Sequence, residues 1–196
     1  MGRPIRDAGA HDPYLRMIFS ESSLSGVYLV DLDRLADERG FFARCYAPEE
    51  FATQGLGPEL RHCSVSYNAR EGTLRGLHYQ GAPHEEHKLV RCTTGAVFDV
   101  VVDVRPRSRN YLRWFGTQLT ADNRRSLFIP AGFAHGFLSL TDHTEVHYMI
   151  SVPHAPQFSQ GLRWNDPALA IEWPMAPAVI SARDAAYPLL DAQAGA

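Results

Sequence analysis

Ala96-Val-Phe-Asp-Val-Val-Val-Asp-Val104 is the stretch that decides the architecture. Successive side chains of an extended segment point to opposite faces. Ala96, Phe98, Val100, Val102 and Val104 therefore share one face, and Val97, Asp99, Val101 and Asp103 share the other. The first face is apolar throughout. The second carries two carboxylates and is expected to border water or a polar cavity. Working outward, short apolar or alternating runs between turn residues predict strands over 26–33, 65–68, 88–92, 114–119, 126–129, 137–140 and 145–151. Only 48–54 has the texture of a short helix, and 167–196, rich in Ala and Pro, allows a further helical turn or two. Many short strands with regular turn signals predict an all-β sandwich or barrel, and closure into a double-sheet jelly roll removes the open edges. The sequence shows no repeat, linker or low-complexity tract. It reads as one domain over 17–196, preceded by a polar leader, 1–16, expected to be an N-terminal extension without a role in the fold and a candidate for disorder.

Composition narrows the function classes. With 196 residues, 45% of them hydrophobic and 11% aromatic, the chain can bury a core. A net charge of −3 gives no sign of a nucleic-acid-binding or polybasic membrane surface. No apolar run approaches the roughly 20 residues that cross a bilayer, and the start has no apolar signal-peptide core. Cys45, Cys63 and Cys92 are odd in number and in no metal-ligand spacing, so reduced thiols in a cytoplasmic protein are expected. The basic residues are 18 Arg and one Lys, Lys88. Arg forks across planar anions, whereas Lys is a compact ammonium that can aim at one developing charge. The single exception is thus a functional candidate.

Nine His residues cluster suggestively. His78 lies in Thr73-Leu-Arg-Gly-Leu-His-Tyr-Gln80, His84 and His87 in Pro83-His-Glu-Glu-His-Lys88, and His135 in Ile129-Pro-Ala-Gly-Phe-Ala-His-Gly-Phe137. One reading is a metal held by His78, His135 and either His84 or His87. Pro-x-Gly-x-x-His resembles the second half of the signature of cupins, a jelly-roll superfamily, but the His-x-His pair of the first half is here His78-Tyr79-Gln80. A cation, Lys88, follows and would repel a metal. The other reading is metal-free proton chemistry. A His with a carboxylate behind it serves as general base, an enolate needs a positive donor at its oxygen, and a Tyr from the opposite wall can return the proton.

Gly72-Thr-Leu-Arg-Gly-Leu-His-Tyr-Gln80, His87-Lys-Leu-Val-Arg-Cys92, Gly95 to Arg105, Ile129 to Phe137 and Gly161-Leu-Arg-Trp-Asn-Asp-Pro167 together resemble the dTDP-4-dehydrorhamnose 3,5-epimerase family. The likeness runs in order from about Met17 to Leu189. It implies a cupin double-stranded β-helix with a few short helices, a homodimer that exchanges N-terminal strands, and metal-free, cofactor-free epimerisation of a dTDP-4-keto-6-deoxy sugar at C3, C5 or both, in dTDP-rhamnose-type biosynthesis. By motif, His78 matches the family's base, Asp184 its paired carboxylate, Lys88 the enolate-stabilising cation and Tyr148 the acid. Arg75 and Arg39 match arginines near the diphosphate. Phe42, His135 and His154 fall at substrate-binding positions, and Asp99 is a partner for His135.

Blander readings stand beside these. Tyr148 can be a core strand aromatic, Asp184 a helix N-cap ahead of Ala185-Ala186, and Asp99 structural. Arg163, Trp164 and Asp166 read as scaffold. Arg44, Cys63-Ser64-Val65 and Pro153-His154 depart from the family's pattern around the nucleotide, where a Glu, a Gln-Asp-Asn stretch and an aromatic pair are usual. The base and the number of inverted centres are therefore left open. So are a metal-dependent cupin enzyme, a related ketoisomerase and a nucleotide-sugar binder that has lost catalysis.

Overall fold

The computed structural model describes residues 16–57 and 59–190, so the expected disorder of the leader lies, but for Arg16, outside the described residues. The strands are β1 (Met17–Glu21), β2 (Tyr28–Leu32), β3 (Leu35–Asp37), β4 (Gly40–Phe42), β5 (His62–Asn68), β6 (Thr73–Gln80) and β7 (Lys88–Thr94). They continue with β8 (Ala96–Asp103), β9 (Trp114–Thr120), β10 (Ser126–Ile129), β11 (Phe133–Ser139), β12 (Thr144–Ile150), β13 (Ser159–Gly161) and β14 (Val179–Ile180). Among the described residues, helix is confined to α1 (Pro48–Thr53), α2 (Ala182–Ala185) and a 3-10 turn over Pro156–Phe158. One sheet runs β1-β2-β10-β7-β12-β5 and the other β13-β6-β11-β8-β9, with β14 parallel to β6 and β3-β4 a separate hairpin. This is the expected jelly roll. No helix among the described residues is long and apolar enough to cross a membrane.

The core fills the space between the sheets. Val90, Cys92, Leu127, Ile129 and Val146 from one sheet meet Val97, Val101, Leu119, Phe133 and Phe137 from the other. Phe137 is fully out of water, so Phe137→Ala is expected to cost about 3–5 kcal/mol of stability. A urea titration checks this, and a midpoint close to that of the unaltered protein would mean the core collapses into the gap.

The strand first read from alternation departs from expectation on its second face. Asp99 and Asp103 are both 0% exposed, because β8 is buried on both sides. Its apolar face, with Phe98, Val100 and Val102, is covered by Leu162, Leu169, Ile171 and Trp173 of the C-terminal segment. The two carboxylates point inward and are satisfied there. Asp103 accepts from Arg105 Nη2 (2.6 Å) and Ser108 Oγ (2.6 Å). Burial alone would raise its carboxyl, but these bonds outweigh it and hold it below the usual range. The Arg163–Pro167 turn is scaffold, as expected. Asp166 accepts the Leu190 N–H (2.6 Å), and Trp173 Nε1–H donates to the Trp164 carbonyl (2.9 Å), pinning the cover in place.

Sequence alternation missed β1, β6, the first half of β11 and the two- and three-residue strands β3, β4, β13 and β14. In β6 and β11 the reason is a close approach of two backbones. A Cβ on Gly76, at φ +133°, would lie 2.5 Å from Gly136 Cα, and one on Gly136 would lie 2.7 Å from the Arg75 carbonyl oxygen. Glycine is the residue that permits such an approach, and each one interrupts the pattern by which a strand is read. The register also shifts between His135 and Phe137. Helix α1 ends one residue short of expectation, and among the described residues of the C-terminal segment α2 is the single helical turn.

Candidate active site

A cavity of about 1070 Å³ opens between the sheets. One wall comes from β6 and β11 with the α2 turn, bringing Arg75, His78, His135 and Asp184; the other comes from β5, β7 and β12, bringing His62, Ser64, Lys88 and Tyr148. The fold thus brings together residues more than 100 positions apart in the chain, His78 and Asp184 among them.

His78 Nε2 lies 2.7 Å from Asp184 Oδ1. A carboxylate accepts only, so Nε2 carries the hydrogen and Nδ1 keeps its lone pair for a proton from the cavity. Asp184 is nearly buried, and its second oxygen accepts the Gly76 N–H at 3.2 Å. It is not the N-cap. Ser181 caps α2 by accepting the Asp184 N–H, which leaves the carboxylate free to face His78. Burial would raise the Asp184 carboxyl, but the His78 hydrogen bond and charge and the Gly76 N–H outweigh it and depress it. Asp184 accordingly adds stability above the unfolded carboxyl's range, near pH ~3.9, and that share is lost as pH falls through the lower folded value. Asp184→Asn is expected to lose that acid-side share and, by offering His78 the wrong tautomer partner, to cut turnover about 10²-fold or more. Urea midpoints between about pH 5 and 2 and steady-state rates check the two halves separately.

Across the cavity, Lys88 Nζ is 2.7 Å from Glu86 Oε1. Tyr148 is half-buried, and its ring meets the His135 ring edge to face at 5.9 Å. Burial pushes the Tyr148 phenol up, the Asp99 charge adds to this and Arg75 only partly offsets it, so the group is held as a proton donor. Behind it, His135 Nε2 sits 3.0 Å from both oxygens of Asp99. Asp99 does not line the cavity and acts on it through His135. Arg75 is fixed by Asn68 Oδ1 (2.8 Å) and the Tyr67 carbonyl (3.2 Å).

Two of the sequence-derived residues are not brought here. Arg39 and Phe42 sit on the β3-β4 hairpin, outside this chain's cavity, with Arg39 paired to Asp37 and Phe42 66% exposed. The ligands of the metal reading are not assembled either. His84 stacks on Phe158 and His87 packs beside Phe128, and neither lines the cavity. Among the described residues no group of three or more His, Cys, Asp and Glu could hold a metal ion. Gln80, where a metal-binding cupin would place its second His, spends its amide on the His84 carbonyl (2.9 Å) and the Ala155 N–H (2.6 Å). Of the departures, Cys63, Ser64, Val65, Pro153 and His154 line the cavity, whereas Arg44 lies outside it beside Glu50. Sequence reasoning missed Arg61, His62, Glu86 and Arg183 in the lining. Glu86 stands two residues before Lys88, and nothing local in the sequence marks it as that residue's partner.

Comparison with known proteins gives a consistent result. The family profile for dTDP-4-dehydrorhamnose 3,5-epimerase matches residues 21–192. The chain is 39% identical over 175 residues to the dTDP-4-dehydrorhamnose 3,5-epimerase of Sinorhizobium fredii, covering 89% of this chain and 90% of that one. It is similar to the crystal structure of dTDP-4-dehydrorhamnose 3,5-epimerase from Bacillus anthracis with TDP and PPi bound, at TM-score 0.86 and 38% identity over 89% of this chain and 100% of that one. It is also similar to dTDP-6-deoxy-D-glucose-3,5-epimerase from Legionella pneumophila in complex with dTDP-4-keto-L-rhamnose, at TM-score 0.83 and 32% identity over 89% and 93% of the two chains. A jelly roll with a carboxylate-backed histidine facing a lysine and a tyrosine, matched along nearly its whole length, belongs to the dTDP-4-dehydrorhamnose 3,5-epimerase family of isomerases.

Proposed function

We propose that the chain epimerises a dTDP-4-keto-6-deoxy sugar at the carbons flanking the ketone, in dTDP-rhamnose-type deoxysugar biosynthesis, without a metal or cofactor. The observation that carries this reading is the His78–Asp184 pair on one sheet facing Tyr148 and Lys88 on the other. His78 Nδ1 takes the proton next to the C4 ketone, and the C–H electron pair moves into an enolate. Asp184 steadies the imidazolium that forms. The Lys88 ammonium meets the charge growing on the enolate oxygen. Tyr148, held protonated, delivers its proton from the opposite wall, so the carbon closes with inverted configuration. Arg75 supplies guanidinium donors for the diphosphate, and His135 and His154 offer hydrogen bonds around the sugar.

The proposal includes a homodimer in the cytoplasm. The exposed hairpin residues Arg39 and Phe42 do not line this chain's own cavity; in a dimer that exchanges N-terminal strands they would enter the partner's. Three free cysteines fit a reducing compartment.

The test is incubation with dTDP-4-keto-6-deoxyglucose in D₂O, with and without chelator, following deuterium at C3 and C5 by NMR. Label at both carbons, indifferent to chelator, is the expected result. Label at one carbon would make the chain a mono-epimerase. Migration of the carbonyl would make it a ketoisomerase, and chelator-sensitive turnover would return the metal reading.

A further inference from the structure

The chain has one lysine, and its counter-ion was not foreseen from the sequence. Glu86 and Lys88 flank His87 at the start of β7, and both side chains line the cavity while that of His87 packs beside Phe128. The backbone there is fixed by two hydrogen bonds to one residue: the His87 N–H donates to Ser151 Oγ (2.9 Å) and the Ser151 N–H to the His87 carbonyl (3.1 Å). Lys88 is further held in register between Ile129 and Ile150 of the neighbouring strands. The arrangement delivers Glu86 Oε1 to within 2.7 Å of Lys88 Nζ, with only 12% and 9% of the two side chains exposed. Both line the cavity.

Taking an ammonium this far out of water is costly, and a carboxylate within hydrogen-bond reach offsets part of that cost and fixes where the nitrogen sits. An ammonium left to swing on its four-carbon stem meets a growing charge poorly. An acid inside a cavity meant for a nucleotide diphosphate sugar is also costly to binding, because it repels the ligand's own charge. Its presence against the one lysine therefore calls for a role in the reaction rather than in affinity.

We infer that Glu86 is a positioning residue of the reaction, the buried counter-ion that holds the Lys88 ammonium in place and aimed into the cavity. The inference rests on the reading of Lys88 as the enolate-stabilising cation. Glu86 acts through Lys88 and moves no proton of the substrate.

The test uses the full chain labelled with ¹⁵N-lysine, which gives one side-chain ammonium resonance. In the unaltered protein the ion-paired, shielded ammonium protons are expected to exchange slowly enough to be seen at neutral pH. In Glu86→Gln the signal is expected to be lost, with kcat down about tenfold and KM unchanged or lower, since one negative charge has left the cavity. Glu86→Asp, which restores the charge on a shorter arm, is expected to recover part of kcat. A merely structural Glu86 would instead give a raised KM, a lowered melting temperature and equal behaviour of the Gln and Asp variants. A Glu86→Gln protein with the unaltered ammonium signal and kcat overturns the inference. Lys88→Met separates the two readings. If it is inactive while Glu86→Gln is unimpaired, the role of Glu86 alone fails; if Lys88→Met keeps full activity, the role of Lys88 fails and that of Glu86 with it.

Discussion

His78→Ala is expected to suppress exchange of the sugar's α-protons with solvent by roughly 10³- to 10⁴-fold, the upper part of the range for loss of a general base. Nucleotide binding is expected to stay nearly unchanged. The size follows from how much of the local structure serves this one imidazole. Asp184 fixes its tautomer at 2.7 Å, and the Gly76 N–H fixes Asp184 in turn. Alanine removes the imidazole that this arrangement holds at the cavity wall. Its side chain is 37% exposed, so truncation leaves space that water can fill, and a folding defect is not expected. Substantial residual exchange, say within tenfold of the unaltered protein, would show that another group takes the proton.

Tyr148→Phe separates the two halves of the reaction. Solvent exchange is expected to survive within about tenfold, because His78 and Lys88 remain, while net inversion falls by about 10²- to 10³-fold for want of an acid on the far wall. Phenylalanine keeps the edge-to-face contact with the His135 ring, centred 5.9 Å away, so stability should be unaffected. Deuterium wash-in and product stereochemistry, measured on the same sample, decide it. If exchange and inversion both run at full rate, Tyr148 is a packing residue and the proton returns from elsewhere.

The residues of the site were legible to the degree that local chemistry announces itself. His78 and His135 stood out because each sits in a distinctive motif, and Lys88 because it has no competitor. Asp184 and Tyr148 were found only through resemblance, since nothing local distinguishes a carboxylate before two alanines from a helix cap, and the capping role went to Ser181. Asp99 and Asp103 show a different limit. Alternation separates two faces of a strand but cannot say what covers each, and here the C-terminal segment buries the apolar side while the jelly roll encloses the acidic one. Arg39 and Phe42 came from resemblance instead, and the hairpin that carries them lies outside this chain's own cavity. Glu86 went unread because its meaning is relational, and only its distance to Lys88 gives it one.

The meeting of Gly76 and Gly136 bears on how such a protein can diversify. The contact is main chain against main chain, so no second change in a neighbouring side chain can make room for a substitution at either position. The two strands that carry His78 and His135 are thereby shut off from gradual drift in spacing. Novelty must enter from the other border of the cavity, along β5 and the Pro153-His154 loop, where side chains rather than backbones set the fit. Two of this chain's three departures from the family's pattern, Cys63-Ser64-Val65 and Pro153-His154, fall there. A lineage built this way can explore new sugars and new bases while the atoms that handle the proton stay where they are.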